Sequence, residues 1–400
     1  MFETIKTAPP DPILGLTAAF LADDNPDKIN LGVGVYKDNR GQTPVMRAVK
    51  EAERRLLAAE SSKSYKPIGG DPAYTGAARA LLLSADSPLI RSGRAVTVAS
   101  PGGTGALRIV GDFLKQHRPD ATVWLSAPTW ANHAAIYAAA GVATRAYPYY
   151  DAATNGLDRD AMLAGLADIP AGDVVLLHAS CHNPTGVDPD PDTWQAIGET
   201  LARTGAVPLL DFAYQGFGAG LDEDAVGVRT LLSHCDEAFI CQSFSKNFGL
   251  YNERVGALTV VARTAAQAQA VLSQVCICIR RNYSNPPAHG DTIVQMVLTD
   301  DELSAMWRAE LTEMRARING MRARFAAELT RRGLALNPAG NEFITAQNGM
   351  FSFSGLSGAQ VDRLRTEFSI YIVGSGRINV AGITDSNLGR LCDALGQVLA

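Results

Sequence analysis

The sequence predicts an α/β protein, with a large domain built on a mostly parallel sheet and a smaller α+β domain. Between residues 94 and 262, short β-branched runs alternate with helical stretches, which is typical of a parallel sheet covered by helices on both faces. After residue 300, one long helical segment precedes short strands and helices without that alternation. A chain of 400 residues also exceeds one ordinary hydrophobic core, so we expect two packed domains.

The large domain is predicted from its strands and helices in turn. The predicted buried strands are Ala95–Ala99, Thr122–Ser126, Val174–His178, Val207–Leu210, Ala238–Cys241 and Ala257–Val261. The predicted helices between them are Gly105–Gln116, Ala131–Ala140, Arg159–Leu166, Asp190–Arg203 and Ala225–His234. Ligands of such sheets bind beyond the carboxyl ends of the strands. Polar groups follow those ends here, namely Gly102–Thr104, Asn183, Asp211 and Ser243–Lys246.

The smaller domain is predicted from the C-terminal segments. The predicted elements are a helix at Asp301–Arg332, strands at Met350–Phe353, Ile370–Val373 and Ile378–Val380, and helices at Gly358–Phe368 and Asp385–Leu399. We expect residues 46–305 to form the large domain. Residues 1–45 plus 306–400 are expected to form the small one.

Composition excludes several classes of function. The net charge is −5 and no basic stripe is present, so we expect no nucleic-acid partner. The chain has no sustained apolar run and its first residues lack an apolar signal region, so neither a membrane span nor secretion is expected. The six cysteines are scattered, and the single C-x-C pair at Cys276 is a poor zinc signal. We therefore expect reduced thiols, no metal site and a cytoplasmic location.

The segment Ser243–Gly256 places a lysine at a strand end amid hydroxyls and glycine, with an arginine eight residues later. Lys246 there suits a nucleophilic amine beside an anion site that includes Ser243, Ser245 and Arg254. The ammonium must lose a proton to attack an aldehyde, and burial near other cations lowers a lysine pKa. The alternative is a surface lysine in a glycine-rich turn.

Asp211 directly follows the apolar run Val207–Leu210. Burying a carboxylate there is costly unless a cation meets it, and a protonated pyridine nitrogen is such a cation. Tyr214, three residues on, is within reach of a phenolic oxygen on the same ring. The alternative for Asp211 is a helix N-cap at a strand-to-helix turn.

Two turns after strands supply further polar groups. Pro101–Leu107 opens a helix with glycines that include Gly103, followed by Thr104, and a helix N-terminus attracts phosphate. Its spacing is not that of a dinucleotide site. Asn183, before Pro184, offers an amide to a ring oxygen or a substrate carboxylate. The alternatives are a common glycine-rich turn and a simple Asn-Pro turn.

Four other residues complete the candidate set. Trp130 is suited to stack on a flat cofactor, and His133 to bond Asp211 from behind, although each alone is typical of core packing. Arg280 and Arg377 are suited to bind carboxylates through two-pronged hydrogen bonds, and two such arginines fit a dicarboxylic substrate. The alternative for either arginine is a surface ion pair.

Together these segments resemble the class I aminotransferases, in the subgroup of aspartate and aromatic amino-acid enzymes. The resemblance runs from Asp11–Leu16 through Arg377 to the last helix, which is essentially the whole chain. It implies a fold-type I enzyme that depends on pyridoxal 5'-phosphate (PLP). It also implies a homodimer whose active sites are shared between subunits, with amino acids and 2-oxo acids as substrates.

The resemblance also implies a role for each matching residue. Lys246 matches the lysine that carries the cofactor as a Schiff base and acts as the base. Asp211 matches the partner of the cofactor's ring nitrogen, and Tyr214 and Asn183 match the partners of its ring oxygen. Trp130 matches the indole that stacks on the ring, and His133 matches the imidazole behind the aspartate. The phosphate is matched by Gly103, Thr104, Ser243, Ser245, Arg254 and, from the neighbouring subunit, Tyr65. Arg377 matches the arginine that binds the substrate's α-carboxylate, and the neighbouring subunit's Arg280 matches the one that binds the substrate's side-chain carboxylate. Gly34 matches a residue of the loop that closes over the substrate.

The implied activity is transfer of the amino group of aspartate to 2-oxoglutarate by a ping-pong mechanism. A broad aromatic aminotransferase is the alternative. Arg280 is expected in both enzymes. Aspartate is favoured by Val35, Lys37, Thr43, Thr104 and Asn285, whereas Ser64 beside Tyr65 departs from the usual asparagine. A catalytically silent binding protein of the same fold is disfavoured because Lys246, Asp211 and Arg377 are all retained.

Overall fold

The computed structural model describes residues 1–8 and 14–400. Residues 11–13, the first half of the Asp11–Leu16 segment at which the resemblance begins, lie outside the described residues. The strands are β1 (Ile29–Asn30), β2 (Ala95–Pro101), β3 (Thr122–Ala127), β4 (Ala143–Pro148), β5 (Tyr150–Asp151), β6 (Gly156–Leu157), β7 (Val174–His178), β8 (Val207–Phe212), β9 (Ala238–Ser243), β10 (Val255–Val261), β11 (Phe351–Phe353), β12 (Ile370–Tyr371) and β13 (Arg377–Asn379).

Helices account for most of the remaining described residues. The α-helices are α1 (Leu14–Ala22), α2 (Arg47–Ala59), α3 (Pro72–Leu83), α4 (Pro88–Arg91), α5 (Gly102–His117), α6 (Asn132–Ala140), α7 (Arg159–Ala167), α8 (Pro191–Thr204), α9 (Val226–His234), α10 (Ala265–Asn282), α11 (His289–Thr299), α12 (Asp301–Arg331), α13 (Glu342–Ala346), α14 (Gly358–Phe368) and α15 (Leu388–Leu399). Short 3-10 helices lie at Phe2–Thr4, Glu223–Ala225 and Val380–Gly382.

The large sheet has the strand order β2-β10-β9-β8-β7-β3-β4. Strand β10 is antiparallel to both of its neighbours, and the other strands run parallel to one another. The predicted mostly parallel sheet is therefore confirmed, and every predicted strand of the large sheet is present. Edge strand β4 was not predicted. Its residues are largely exposed, so its sequence lacks the apolar run that marks a buried strand.

Both faces of this sheet are covered by helices. In β7, Val175 and Leu177 pack into a core with α7, α8 and α9, whereas Val174 and Leu176 pack into a second core with α5, α6 and α10. Side chains alternate between faces along a strand, so a strand buried on both faces reads as a continuous apolar run. This explains why the interior strands could be predicted from the sequence.

Local signals set the ends of individual helices. Helix α8 begins after Asp190, whose carboxylate accepts a hydrogen bond from the Thr193 backbone N–H at 2.7 Å. It ends at Gly205, which has the left-handed φ of +75° that terminates helices. Helix α15 begins at Leu388 rather than at the predicted Asp385. The side chain of Asn387 accepts from the Thr384 N–H and holds the intervening residues in a turn.

The N-terminal and C-terminal segments share a separate core. Strand β1 pairs in parallel with β12, and β11 pairs antiparallel with β13. Ile29 packs in this core with Phe325 of α12. The first half of α12, including Trp307, packs instead in a core with Phe248 of the larger unit. Because α12 runs from one core into the other, the predicted domain bounds at residues 45 and 305 stay a prediction.

Two further features concern the cysteines and membranes. All six cysteines are free thiols, and Cys276 alone among them is more than slightly exposed. Within residues 1–8 and 14–400, no helix combines the length and the apolar character needed to cross a membrane.

Candidate active site

A cavity of about 260 Å³ lies at the carboxyl ends of the parallel strands. Its walls come from the turns after β2, β3, β8 and β9, together with residues of the N-terminal and C-terminal segments. The lining residues are Gly34, Gly103, Thr104, Leu107, Trp130, His178, Asn183, Asp211, Ala213, Tyr214, Ser243, Ser245, Lys246, Tyr251, Arg254, Phe351 and Arg377. Every residue predicted for the site is in this set except His133, Tyr65 and Arg280.

Lys246 lies in the turn that follows β9 and is half-buried. Burial lowers the pKa of its ammonium to about 8; Asp211 opposes this shift, and Arg254 and Arg377 reinforce it. Its Nζ lies 4.7 Å from the centroid of the Tyr214 ring. At pH 7 about a tenth of the side-chain population is therefore the free amine, which is the nucleophilic form, against less than a thousandth for an ordinary lysine.

Asp211 lies within β8 and is 7% exposed. Burial alone would raise its pKa, but a hydrogen bond with His133 and the nearby His133, His178 and Lys246 side chains hold the pKa below its usual value. The His133 Nε2 lies 3.0 Å from Asp211 Oδ2, and its Nδ1 lies 2.8 Å from the Thr129 hydroxyl. Asp211 is therefore a buried carboxylate aimed at the cavity, and the helix N-cap alternative is wrong.

An anion-binding cup forms where α5 begins. Pro101, at the N-cap, makes no side-chain capping bond in the described structure, so the first N–H groups of α5 remain available. Ser243 and Ser245 are buried beside this end, with their hydroxyls 3.2 Å apart. Arg254 Nη1 lies 3.4 Å from the Ser245 hydroxyl. Hydroxyls, helix N–H groups and a guanidinium are the donors that phosphate sites use.

Gly102 makes this cup possible. It has a φ of +69°, and an added Cβ would lie 2.5 Å from Arg254 Nη2. A side chain at this position would therefore be strained and would displace the guanidinium.

Arg377 forms a second cationic group in the cavity and is 4% exposed. Its Nη1 donates to Asn183 Oδ1 at 3.0 Å, and its Nη2 donates to the Gly32 carbonyl at 2.6 Å. Its guanidinium carbon lies 4.1 Å from the centroid of the Phe351 ring. The Nε has no hydrogen-bond partner among the described residues. Burial lowers the pKa of Arg377.

Tyr65 and Arg280 are not brought to this cavity within one chain. Tyr65 is 91% exposed. Arg280 is exposed at the end of α10, where it donates to the Ser284 hydroxyl. Tyr65 lies in a separate surface groove that also includes Asn285. The roles predicted for these two residues require a second subunit and stay predictions.

Five lining residues were not among the predicted site residues: Leu107 and Ala213 add apolar wall, and the other three are His178, Tyr251 and Phe351. His178 is the last residue of β7, and its position at a strand end was the available signal. Tyr251 lies inside the Ser243–Gly256 segment, and its hydroxyl accepts from the Tyr36 N–H at 2.9 Å. Phe351 had no local signal, because a phenylalanine in a short strand is usual core material.

His133, His178 and Asp211 form a cluster of side chains that are able to ligate a metal ion. One ligand atom from each lies within 4.8 Å of the others. However, His133 already uses both ring nitrogens, on Thr129 and Asp211. Burial lowers the pKa of His178 to about 3, and neither of its ring nitrogens has a hydrogen-bond partner among the described residues. Hydrogen bonds therefore account for His133 and Asp211 but not for His178, and the absence of a bound metal stays a prediction.

Comparison with known proteins decides the family. The family model described as aminotransferase class I and II matches residues 26–395. This chain belongs to that family. The aminotransferase is 53% identical over 399 residues to the aspartate aminotransferase of Haemophilus influenzae, with 100% of each chain covered. It is 48% identical over 399 residues to the aromatic-amino-acid aminotransferase of Pseudomonas aeruginosa, covering 100% of this chain and 99% of that one.

A solved structure extends the similarity to the fold. The aromatic-amino-acid aminotransferase of Burkholderia pseudomallei, covalently bound to pyridoxal phosphate, matches with a TM-score of 0.96 and 48% identity over 100% of both chains. The predicted family and fold class are therefore confirmed, and the silent-protein alternative has no support among these relatives.

Proposed function

We propose that this aminotransferase moves the amino group of aspartate to 2-oxoglutarate by a ping-pong mechanism, with PLP as its cofactor. The observation that carries the proposal is the joint presence, in one cavity, of a lysine with a lowered pKa, a buried carboxylate and two cationic groups. We assign aspartate rather than an aromatic amino acid as the substrate because the aspartate aminotransferase of Haemophilus influenzae is 53% identical to this chain. The aromatic enzyme of Pseudomonas aeruginosa is 48% identical.

The residues present fit PLP. The cup at the start of α5 supplies donors for a phosphate, and Asp211 supplies an anion for a ring nitrogen. When bound, the cofactor supplies an electron sink for the charge that develops at the substrate Cα.

Five side chains act on the bound groups. Lys246, as a free amine, would remove the Cα proton and deliver it to the cofactor's C4′ carbon, which lies on the other side of the amino nitrogen. Asp211, kept ionised by His133, holds a proton on the ring nitrogen. Tyr214 and Asn183 hold the ring oxygen, and Trp130 covers the ring face.

Substrate is oriented by arginines. Arg377 binds the α-carboxylate, because a buried guanidinium binds a carboxylate with two parallel hydrogen bonds. Gly34 lets its loop close over the substrate. Arg280 of the partner subunit binds the second carboxylate, and Tyr65 of the partner subunit binds the phosphate. We place the enzyme in the cytoplasm as a homodimer.

The shared-site proposal has a direct test in hybrid dimers. A purified hybrid of one Lys246→Ala subunit and one Arg280→Ala subunit has one intact site if Arg280 serves the neighbouring subunit. We then expect about half of the wild-type aspartate activity per dimer. If Arg280 serves its own subunit, both sites of the hybrid are defective. A hybrid with no more aspartate activity than the two single-variant homodimers would refute the shared site.

The substrate proposal is tested by comparing amino donors. Aspartate and phenylalanine are each assayed with 2-oxoglutarate, and Lys246→Ala serves as the matched inactive variant. A far larger kcat/KM for aspartate supports the proposal. Comparable values would make the protein a dual-specificity aromatic aminotransferase, which the 48% identical aromatic relative makes the second candidate. No transfer from either donor would refute the assignment.

A further inference from the structure

A buried arginine, Arg322, lies on α12 outside the cavity and has no role in the proposed chemistry. It is 2% exposed, and its hydrogen-bond partners in the described part of the chain are backbone carbonyls rather than carboxylates. Burial lowers its pKa to about 10, so it remains charged at neutral pH. A buried charge without a carboxylate partner is costly, and such a group is retained only where its hydrogen bonds compensate.

Those hydrogen bonds all go to backbone carbonyls of one segment, residues 344–351. Arg322 Nη1 donates to the Ile344 carbonyl at 2.9 Å. Its Nη2 donates to the carbonyls of Gly349 at 2.7 Å and Phe351 at 2.8 Å. One planar guanidinium therefore connects both ends of this segment.

The far end of the segment is Phe351, which lines the cavity. Its ring lies 4.1 Å from the guanidinium carbon of Arg377, and it meets Tyr214 edge-on with centroids 5.8 Å apart. A Cβ added to Gly34 would lie 2.9 Å from Phe351 Cζ. Phe351 is thus packed between the arginine and the loop glycine that are assigned to substrate.

The segment also contacts the turn that carries Asn183. The Asn348 backbone N–H donates to the Gly186 carbonyl at 2.6 Å. A Cβ on Gly186, whose φ is +70°, would lie 2.8 Å from the Phe351 carbonyl oxygen. Asn183 in turn accepts a hydrogen bond from Arg377. Both neighbours of the Arg377 guanidinium, Phe351 and Asn183, therefore depend on where this segment lies.

We propose that Arg322 is a positioning residue for carboxylate binding: by clamping residues 344–351 it sets Phe351, and through Phe351 it orients the Arg377 guanidinium. The inference rests on the proposed role of Arg377. It does not involve Lys246, Asp211 or the anion-binding cup, whose positions are set by β8, β9 and α5. Arg322 should therefore affect the affinity for carboxylates more than the chemical step.

The first test is Arg322→Lys, which keeps the charge but cannot reach three separated carbonyls with one ammonium. Binding of succinate to the holoenzyme, measured by calorimetry, should weaken about tenfold, because succinate has carboxylates but no group to transfer. The KM values for aspartate and 2-oxoglutarate should rise by a similar factor while kcat changes by less than about twofold. Arg315→Lys is the matched control, since Arg315 lies on the same helix and donates to the Gly216 carbonyl at 2.9 Å.

Phe351→Leu tests whether Arg322 acts through that ring. Each single change should weaken succinate binding, and the double variant should weaken it by less than the product of the two. A fully multiplicative loss would overturn the proposal. So would wild-type succinate affinity in folded Arg322→Lys, or an equal loss in Arg315→Lys.

A measurement on the wild-type holoenzyme does not depend on whether any variant folds. Because coupling is reciprocal, succinate should slow amide hydrogen exchange in residues 344–351. Unchanged exchange there on succinate binding would contradict the clamp. If the wild type transfers no amino group while the succinate results hold, the proposed function fails and the clamp stands. If transfer is normal and the succinate results fail, the clamp alone is wrong.

Discussion

The hydrogen bond between His133 and Asp211 predicts a specific change in pH dependence. In His133→Leu the buried carboxylate loses a hydrogen-bond donor at 3.0 Å. Burial raises the pKa of Asp211 and is the largest influence on it, and this hydrogen bond no longer opposes that effect. The pKa of Asp211 should therefore rise. The carboxylate is the working form, so activity should fall on the acid side and be retained at pH 8.

The size of the shift follows from the hydrogen bond. A hydrogen bond to a charged group contributes about 1.5–3 kcal/mol, and Asp211 is too buried for water to replace it. One pKa unit corresponds to about 1.4 kcal/mol, so the acid limb of kcat/KM should move up by about 1–2 pH units. At pH 8 the rate should change by less than about threefold, because the carboxylate is still ionised there.

The assay is a pH profile of kcat/KM between pH 3 and 9 for the wild type and the variant, since the pKa of wild-type Asp211 lies below its usual value. Thr129→Val is the control, because it removes the partner of His133 Nδ1 and leaves the contact with Asp211 in place. Its acid limb should move less than that of His133→Leu. An acid limb in His133→Leu within about 0.3 units of the wild type would refute the reasoning, because that is well under the shift one hydrogen bond provides.

Three further predictions concern the cavity. Capture of PLP by the apoprotein should accelerate as pH rises through about 8 and then level off, since the Lys246 amine is then deprotonated; a pH-independent rate of visible colour development would contradict this. Gly34→Ala should raise the KM for aspartate about tenfold or more at nearly constant kcat, because its Cβ would lie 2.9 Å from Phe351 Cζ; an unchanged KM argues against this contact. Gly102→Ala should weaken retention of the cofactor in equilibrium dialysis, because the new Cβ displaces Arg254, and wild-type retention would exclude that effect.

The fold was predictable where the pattern of apolar residues in the sequence indicates which residues are buried. Strands such as β7 are buried on both faces and therefore stand out as apolar runs between polar turns. The edge strand β4 was missed because only Tyr147 along it is buried. The order of strands, with antiparallel β10 between β2 and β9, depends on long-range pairing that no local pattern encodes.

The site was predictable where a residue follows a strand end or belongs to a long motif. Asp211, Asn183 and Lys246 satisfy both conditions, and the structure brings them into one cavity. Phe351 satisfies neither, and its importance arises only from packing against Arg377 and Gly34. The contact between Phe351 and Gly34 joins segments more than 300 residues apart in sequence, and such a contact is a property of the folded chain.

The charges in the cavity lead to a final prediction about specificity. The cations lining it are Lys246, Arg254 and Arg377, and the first two are assigned to the cofactor. One chain therefore leaves a single arginine for substrate, whereas aspartate has two carboxylates. In the proposed homodimer the second cation comes from the other subunit, and Arg280 is exposed, with the Ser284 hydroxyl as its side-chain partner in the described structure.

Arg280→Ala should therefore lower kcat/KM for aspartate about a hundredfold, since losing hydrogen bonds to a charged group costs about 1.5–3 kcal/mol. Phenylalanine has no second carboxylate, so its kcat/KM should stay within about threefold of the wild type. The measurement is the ratio of the two kcat/KM values, with 2-oxopropanoate as acceptor so that the acceptor has no second carboxylate either. Arg281→Ala, the adjacent arginine that donates to Gln116, is the matched control. Equal losses for both donors would mean that Arg280 supports the dimer or the cavity as a whole, because a carboxylate-specific contact cannot affect a substrate that lacks the carboxylate.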